Sequence, residues 1–292
     1  MKMFAIKKYT RAFALCLLIL LSACDRGTEP LPTSKVWEKD QKKMVLIPAG
    51  EFLMGTNLQD EGNTHQQIGT VKPLYLDQQP EHRVHLDAYY IDQYEVTNRE
   101  YKVFIEASQF TYLPSNWVEG EIAEGEEDLP VTNISWMEAW AYAQWADKDL
   151  PTEAQWEKAA RGTDGRAFPW GNEYEKGVAN VGIDGAKKIM PGGSFPNDVS
   201  VYQVYDMAGN VMEWTRDWYQ AYPGSEYASK KFGKNFKVLR GSGSQKAGHY
   251  FLEAYIYSFY RTEVLHEEFF ENVGFRCVQQ IKNGDRKPAA GS

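Results

Sequence analysis

Leu150-Pro151-Thr152-Glu153-Ala154-Gln155-Trp156-Glu157 is the stretch that decides the reading of the fold. Thr152 followed three residues later by Gln155 is a capping box, in which the threonine hydroxyl takes a first-turn amide and the glutamine reaches back to the threonine amide. Trp156, Ala159 and Ala160 then share one helical face, and Gly162 closes the segment. Two further boxes lie upstream. Thr97-Asn98-Arg99-Glu100 leads into Tyr101, Phe104 and Ile105, and Ser135-Trp136-Met137-Glu138 leads into Trp140, Ala143 and Trp145. Short strands are expected at Val45-Leu46-Ile47, over the partly alternating run from Val84 to Tyr90, and at Lys237 to Leu239. Elsewhere Gly, Asn, Pro and Trp dominate, as in Phe168-Pro169-Trp170-Gly171-Asn172. Three short helices, few strands and many loops predict an α+β fold with a large irregular fraction.

Composition agrees with a packed domain. Of 292 residues, 43% are hydrophobic and 25% charged, which excludes a wholly disordered chain. Neither a composition break nor a fixed-period repeat divides the central region, so residues 44–281 read as one domain and 282–292 as a polar tail. The net charge is −8, and four of the cations (Lys2, Lys7, Lys8, Arg11) sit in the first eleven residues. An acidic body lacks the basic stripe that a nucleic-acid surface needs.

The N-terminus sets the expected compartment. After the basic residues, Ala12 to Leu21 is an apolar run of ten, too short to span ~30 Å of hydrocarbon as a helix. Small residues then precede a cysteine, which is signal-peptide anatomy over residues 1–23. Leu21-Ser22-Ala23-Cys24 resembles the lipobox of bacterial lipoproteins. That resemblance implies cleavage before Cys24, acylation there, and a lipid-anchored place in the bacterial cell envelope. Several acyl chains at ~0.8 kcal/mol per buried CH₂ hold where one does not. Asp25 resembles an inner-membrane retention signal of enteric bacteria, and residues 24–43 read as lipidated cysteine plus tether. With Cys16 in the leader and Cys24 capped, Cys277 is the one free thiol expected, so no internal disulfide forms.

A set of ordered blocks then identifies a relationship. Met44-Val45-Leu46-Ile47-Pro48-Ala49-Gly50-Glu51-Phe52-Leu53-Met54-Gly55 resembles the opening of the formylglycine-generating enzyme (sulfatase-modifying factor) family. Tyr94-Glu95-Val96-Thr97-Asn98, Pro130 to Trp136, the Leu150–Glu157 stretch, Pro169 to Asn172, Asp206 to Trp214, Arg240-Gly241 and Gly274-Phe275-Arg276 follow in the family's order. The resemblance covers roughly residues 44–279 and implies a variant C-type-lectin-like fold. The superfamily is functionally mixed. Some members oxidise a sulfatase cysteine with copper held by two cysteines, some make sulfoxides with iron, and others are envelope lipoproteins or ligand-binding proteins.

Fixing the register on Arg261, thirteen residues before Gly274, places the family's two copper-binding cysteines at Glu253 and Ser258. Copper(I) needs soft thiolates, which neither residue supplies, so no copper and no catalytic residue is expected. The family's Gly-Gly-Ser-Trp segment is reduced to Gly241-Ser242-Gly243-Ser244. The five histidines (His65, His82, His85, His249, His266) read as structural or surface residues, with His82 and His85 on opposite faces of a strand. Iron chemistry also lacks its helical bundle, for which residues 25–43 leave no room.

What the resemblance retains is an oxygen-rich metal site. Two carboxylates bracket a tight turn in Asp206 to Glu213, and calcium takes 6–8 oxygens from carboxylates, carbonyls and water. By the resemblance, the Asp206 and Glu213 side chains and the Gly209 and Val211 carbonyls bind structural calcium. A second, weaker set would be Asn180, the Val181 carbonyl and Asp184. The aromatic segment from Ser242 to Asn272 matches the family's substrate cleft, with Tyr250, Glu253, Tyr257, Ser258 and Arg261 as candidate binding residues. The resulting expectation is a non-catalytic, membrane-anchored envelope lipoprotein that binds a protein or glycan partner. The alternative is an enzyme of the same superfamily with altered chemistry.

Overall fold

In the computed structural model, which describes residues 31–244 and 253–281, each capping box starts a helix. A single turn, α1 (Thr64–Gln67), comes first. Helix α2 (Asn98–Ser108) is capped by Thr97, whose hydroxyl takes the Glu100 amide at 3.2 Å while Glu100 takes the Thr97 amide at 2.8 Å. Helix α3 (Trp136–Trp145) is capped by Ser135 with Glu138, and α4 (Glu153–Arg161) by Thr152 with Gln155. Gly162 ends α4 at φ +70°, a conformation that side chains with a Cβ disfavour.

Three small sheets surround the helices. One is antiparallel in the order β1 (Ser34–Val36), β2 (Lys43–Ile47), β5 (Tyr89–Asp92), β10 (Val278–Gln280). The second is a hairpin-like pair, β3 (Gly50–Met54) with β4 (His82–Leu86). The third runs β8 (Arg261–Leu265), β7 (Phe236–Arg240), β6 (Met212–Trp218), β9 (Val273–Gly274), with β9 parallel to β6. Sheets this short cannot bury a core alone, so the helices and the rings supply it.

Two sequence expectations change. The run Val84 to Tyr90 is not one strand: it breaks after Leu86, and its halves β4 and β5 pair in different sheets. The segment 34–43, read as tether, is already built into the domain. Ser34–Val36 pairs with β2, and the Trp37 indole donates to the Ala146 carbonyl at 2.7 Å. Its polar composition hid this, because an edge strand needs few apolar residues.

The core has two main parts. Helices α2 and α3 pack Tyr101, Phe104 and Tyr142 against Trp214, Leu239 and Phe275. Helix α4 packs Trp156, Ala159 and Ala160 between Val45, Tyr89 and Ile91 on one side and Met207 on the other. Trp156 is fully buried, and truncating such a ring to alanine costs about 3–5 kcal/mol. With that stripe committed to the core, the remaining faces of α4 turn toward β3, β6 and β7.

Candidate functional site

Glu153, Glu157 and Arg161 are also buried, because α4 crosses the ends of β7 and β8. There Arg240 and Arg261 stand directly opposite one another on adjacent strands. Like charges so placed repel unless a counter-charge lies between them. Glu153 lies between them, with Oε1 2.8 Å from Arg240 Nη1 and Oε2 2.7 Å from Arg261 Nη2. Glu157 takes Arg240 Nη2 at 2.6 Å, Arg161 Nη1 at 2.8 Å and the Gly55 amide at 2.7 Å. Burial pushes the Glu157 carboxyl up, but Arg240 and then Arg161 outweigh it and hold it below the usual range. For Glu153 burial wins over Arg261 and Arg240, and its carboxyl rises. Arg261 also lies over the Tyr222 ring, 4.4 Å from its centroid, and Tyr222 donates to Glu153 Oε1 at 2.9 Å.

This network pins the segment that the sequence singled out. Arg240 Nη2 donates to the Ser258 carbonyl at 2.7 Å, and the Ser258 amide donates to the Ala167 carbonyl at 2.8 Å. Ser258 is therefore buried, and its Oγ has no hydrogen-bond partner among the described residues. Glu253 is exposed and receives the Tyr257 hydroxyl at 3.3 Å. Arg261 was expected in a binding cleft, but it is 1% exposed and donates inward to Glu153, Gln220 and Asp77. The cleft residues thus divide: Glu253 and Tyr257 reach the surface, Ser258 and Arg261 support it from below, and Tyr250 lies outside the described residues, as do His249 and Cys24.

Sequence reasoning missed the wall opposite Tyr257. Its ring meets Phe168 at 5.1 Å, Phe259 at 4.9 Å and Tyr75 at 6.0 Å between centroids. Tyr75 is set there by Asp60, whose carboxylate takes the amides of Thr64, His65 and Leu74 and sits 2.6 Å from His65 Nδ1. Burial pushes the Asp60 carboxyl up, but hydrogen bonds from His65, Thr64 and Leu74 outweigh it and hold it well below the usual range. Nothing in the sequence pattern links Tyr75 to Tyr257, since the two are brought together only by the loop that Asp60 ties.

The predicted calcium ligands are less equal than they looked. Both Glu213 oxygens are engaged: Arg276 donates to Oε1 from Nη2 at 2.7 Å and to Oε2 from Nε at 2.8 Å, and Trp156 adds its indole at 2.9 Å. Asp206 Oδ2 takes the Gly193 amide at 2.6 Å. Among the described residues no group of three or more His, Cys, Asp or Glu side chains is arranged to hold a metal ion. A cation at the Asp206–Glu213 set would therefore share the Glu213 carboxylate with Arg276. In the Asn180 set, Asn180 Oδ1 takes the Ala186 amide at 2.9 Å and the Val181 carbonyl takes the Gly185 amide at 2.8 Å, each oxygen keeping a second lone pair. Asp184 adds Oδ1, buried and without a hydrogen-bond partner among the described residues. Its Oδ2 takes the Tyr174 hydroxyl at 2.8 Å.

Burial disfavours the charged form of the carboxyls around the 206–213 turn. Asp198 is pushed up to about 7 by burial, and Asp206 also to about 7 by burial and then Asp198. Glu95 is driven well above the usual carboxylate range, first by burial and then by Asp206. Cys277 is the only free cysteine among the described residues, and burial followed by Asp92 pushes its thiol well up.

Comparison with known proteins places this geometry. The family model for the sulfatase-modifying factor enzyme 1-like domain matches residues 31–281. The formylglycine-generating enzyme of Bos taurus is 32% identical over a 294-residue alignment, covering 81% of this chain and 74% of that enzyme. The inactive C-alpha-formylglycine-generating enzyme 2 of Mus musculus is 28% identical, covering 77% and 80% respectively. Among solved structures, PvdO from Pseudomonas aeruginosa superposes with a TM-score of 0.64 at 24% identity, covering 85% of this chain and 98% of that one. The expected formylglycine-generating-enzyme type of lectin-like fold is thereby confirmed, with its match starting at residue 31 rather than 44.

Proposed function

This chain belongs to the sulfatase-modifying factor enzyme 1-like family, and from that premise we propose that it is a non-catalytic binding module of the bacterial envelope, anchored through Cys24. The observation that carries the reading is the chemistry of the 253–261 segment. Where the family resemblance puts two thiolates, the chain has an exposed carboxylate at Glu253 and a buried hydroxyl at Ser258. Hard oxygen donors do not hold copper(I). Cys277 cannot stand in, since it is fully buried beside Asp92, its amide donating to that carboxylate at 2.9 Å. Loss of activity has a precedent in the family, as the name of the inactive mouse relative records.

The alternative, an enzyme of altered chemistry, draws on Ser258. A serine nucleophile needs a base within hydrogen-bond reach, and the Ser258 hydroxyl has none among the described residues. The binding reading is therefore preferred, with Glu253, Tyr257 and the adjoining Tyr75 as the surface offered to a protein or glycan, and the buried Phe168 ring supporting Tyr257 from below. Calcium, where present, would be held by Asn180, the Val181 carbonyl and Asp184. Its role would be to clamp that loop to the 206–213 turn, which Asn180 already contacts through the Asn210 amide at 2.7 Å.

The test joins anchor and partner. Cys24→Ser should move the protein from the membrane to the soluble fraction, and mass spectrometry should find acyl groups on Cys24 of the wild type. Cross-linking in native membranes should recover a defined partner that Tyr257→Ala releases. A wild-type protein found unacylated and without such a partner would overturn the proposal.

A further inference from the structure

Helix α3 commits Tyr142 and Ala143 to the core, leaves Trp140 half-buried against the edge of that core, and turns Met137 out to solvent. Loops 110–115 and 266–270 rise beside it, and together they line a groove of about 640 Å³. Tyr112, Leu113, Met137 and Phe269 in its walls are 67%, 40%, 50% and 51% exposed. Large apolar side chains scattered singly over a surface need no explanation, but four converging on one concavity of ligand-pocket size do. Glu138 and Glu267 are the charged side chains that line it, Glu268 and Glu271 are exposed on the same loop, and His266 stands at the rim with its Nε2 3.8 Å from Glu267. Glu138 is held in place by the Ser135 amide at 2.6 Å, while the Glu267 side chain is 85% exposed.

We infer that this groove docks a peptide segment of a protein partner, with apolar anchor side chains in the cavity and Lys or Arg beside them on the acidic rim. The methionine and the rings supply adaptable and large contact areas, and the carboxylates supply selection by charge. The same carboxylates repel an anionic lipid surface, and they repel a second copy of this groove, since the whole chain carries −8. The groove shares no lining residue with the Glu253–Arg261 segment, so the inference stands whether or not that segment turns over a substrate.

The experiment is selection of a phage-displayed library of random dodecamer peptides on the immobilised full chain, followed by fluorescence anisotropy of the enriched peptides. Enriched sequences should pair Leu, Phe or Trp with Lys or Arg within three residues. Their binding should weaken about tenfold or more in Phe269→Ser and in Tyr112→Ser, and should fall as salt rises from 50 to 300 mM, all on the order expected for exposed charge pairs and a lost anchor. Both variants alter exposed residues, and unchanged circular-dichroism melts confirm their folds. Selection on Glu267→Lys should shift the preferred flanks from basic to acidic. No enrichment, enrichment without basic flanks, or equal affinity in both variants would overturn the inference. So would binding of phosphatidylglycerol vesicles through Phe269, or a dimer in sedimentation velocity that Phe269→Ser dissolves.

Discussion

Replacing Glu157 with glutamine keeps the shape of the side chain and removes one negative charge from a fully buried site. In the native protein that carboxylate takes one guanidinium from Arg240 at 2.6 Å, another from Arg161 at 2.8 Å, and the Gly55 amide at 2.7 Å. Glutamine offers one accepting oxygen and turns an NH₂ toward a guanidinium. Arg240 is then left to share Glu153 with Arg261, and Arg161 loses the carboxylate it pairs with. Breaking a buried pair on one side costs about 3–5 kcal/mol. At roughly 2–4 °C per kcal/mol for a domain of this size, about 4 kcal/mol lowers the melting temperature by roughly 8–16 °C. The control is Asp128→Asn, which removes the partner of Arg99 in a pair whose side chains are 59% and 70% exposed, and which should leave the melting temperature close to wild type. Scanning calorimetry of the three proteins measures both. The pH dependence adds a second readout. Because the Glu157 carboxyl is depressed on folding, its contribution is present above the ordinary glutamate value of 4.5 and is lost as pH falls through the folded value. Glu157→Gln should therefore show a shallower loss of stability on acidification. A melting temperature within about 3 °C of wild type, with an unchanged acid profile, would refute the reasoning about this network.

Calcium should stabilise the wild type relative to chelator-treated protein by about 2.7 kcal/mol at a hundredfold excess over the dissociation constant, read as a rise in melting temperature. Asp184→Asn should abolish that rise, and identical curves with and without chelator would remove calcium from the account. Cys277 should resist alkylation in the native protein and react fully on unfolding, since its thiol is raised above the ordinary value of 9.0. Prompt labelling of the folded protein would contradict its burial. Tyr89, Tyr142 and Tyr222 are each held well above the ordinary value of 10.0, first by burial. Their contribution is complete below pH 10 and declines as unfolded-state tyrosines ionise above it. Ultraviolet titration should then show these phenols ionising with the unfolding transition, and smooth independent ionisation before unfolding would speak against it.

Legibility from sequence followed the range of the interactions. The starts of α2, α3 and α4 were readable because a capping box is contained within four residues. Strand β6 was not, because it buries Glu213 and Thr215 among its apolar residues and shows no alternation. The same rule holds at the site. The register of Glu253 and Ser258 could be set from the spacing of Arg261 and Gly274. That Arg261 points inward could not, because its partners Glu153 and Asp77 lie 108 and 184 positions away. The ion pair of Glu213 with Arg276 could not be read either, because the two lie 63 positions apart.

The central claim is that the oxygen donors at Glu253 and Ser258 have ended copper-dependent cysteine oxidation in this chain. Purified protein supplied with copper, a thiol reductant, oxygen and a cysteine-containing sulfatase peptide tests it most directly, with aldehyde trapped by hydroxylamine and read by mass spectrometry. The peptide should remain unchanged, alongside full conversion by a formylglycine-generating enzyme under the same conditions. Aldehyde formed by this protein, and lost when Glu253 or Ser258 is replaced by alanine, would contradict it.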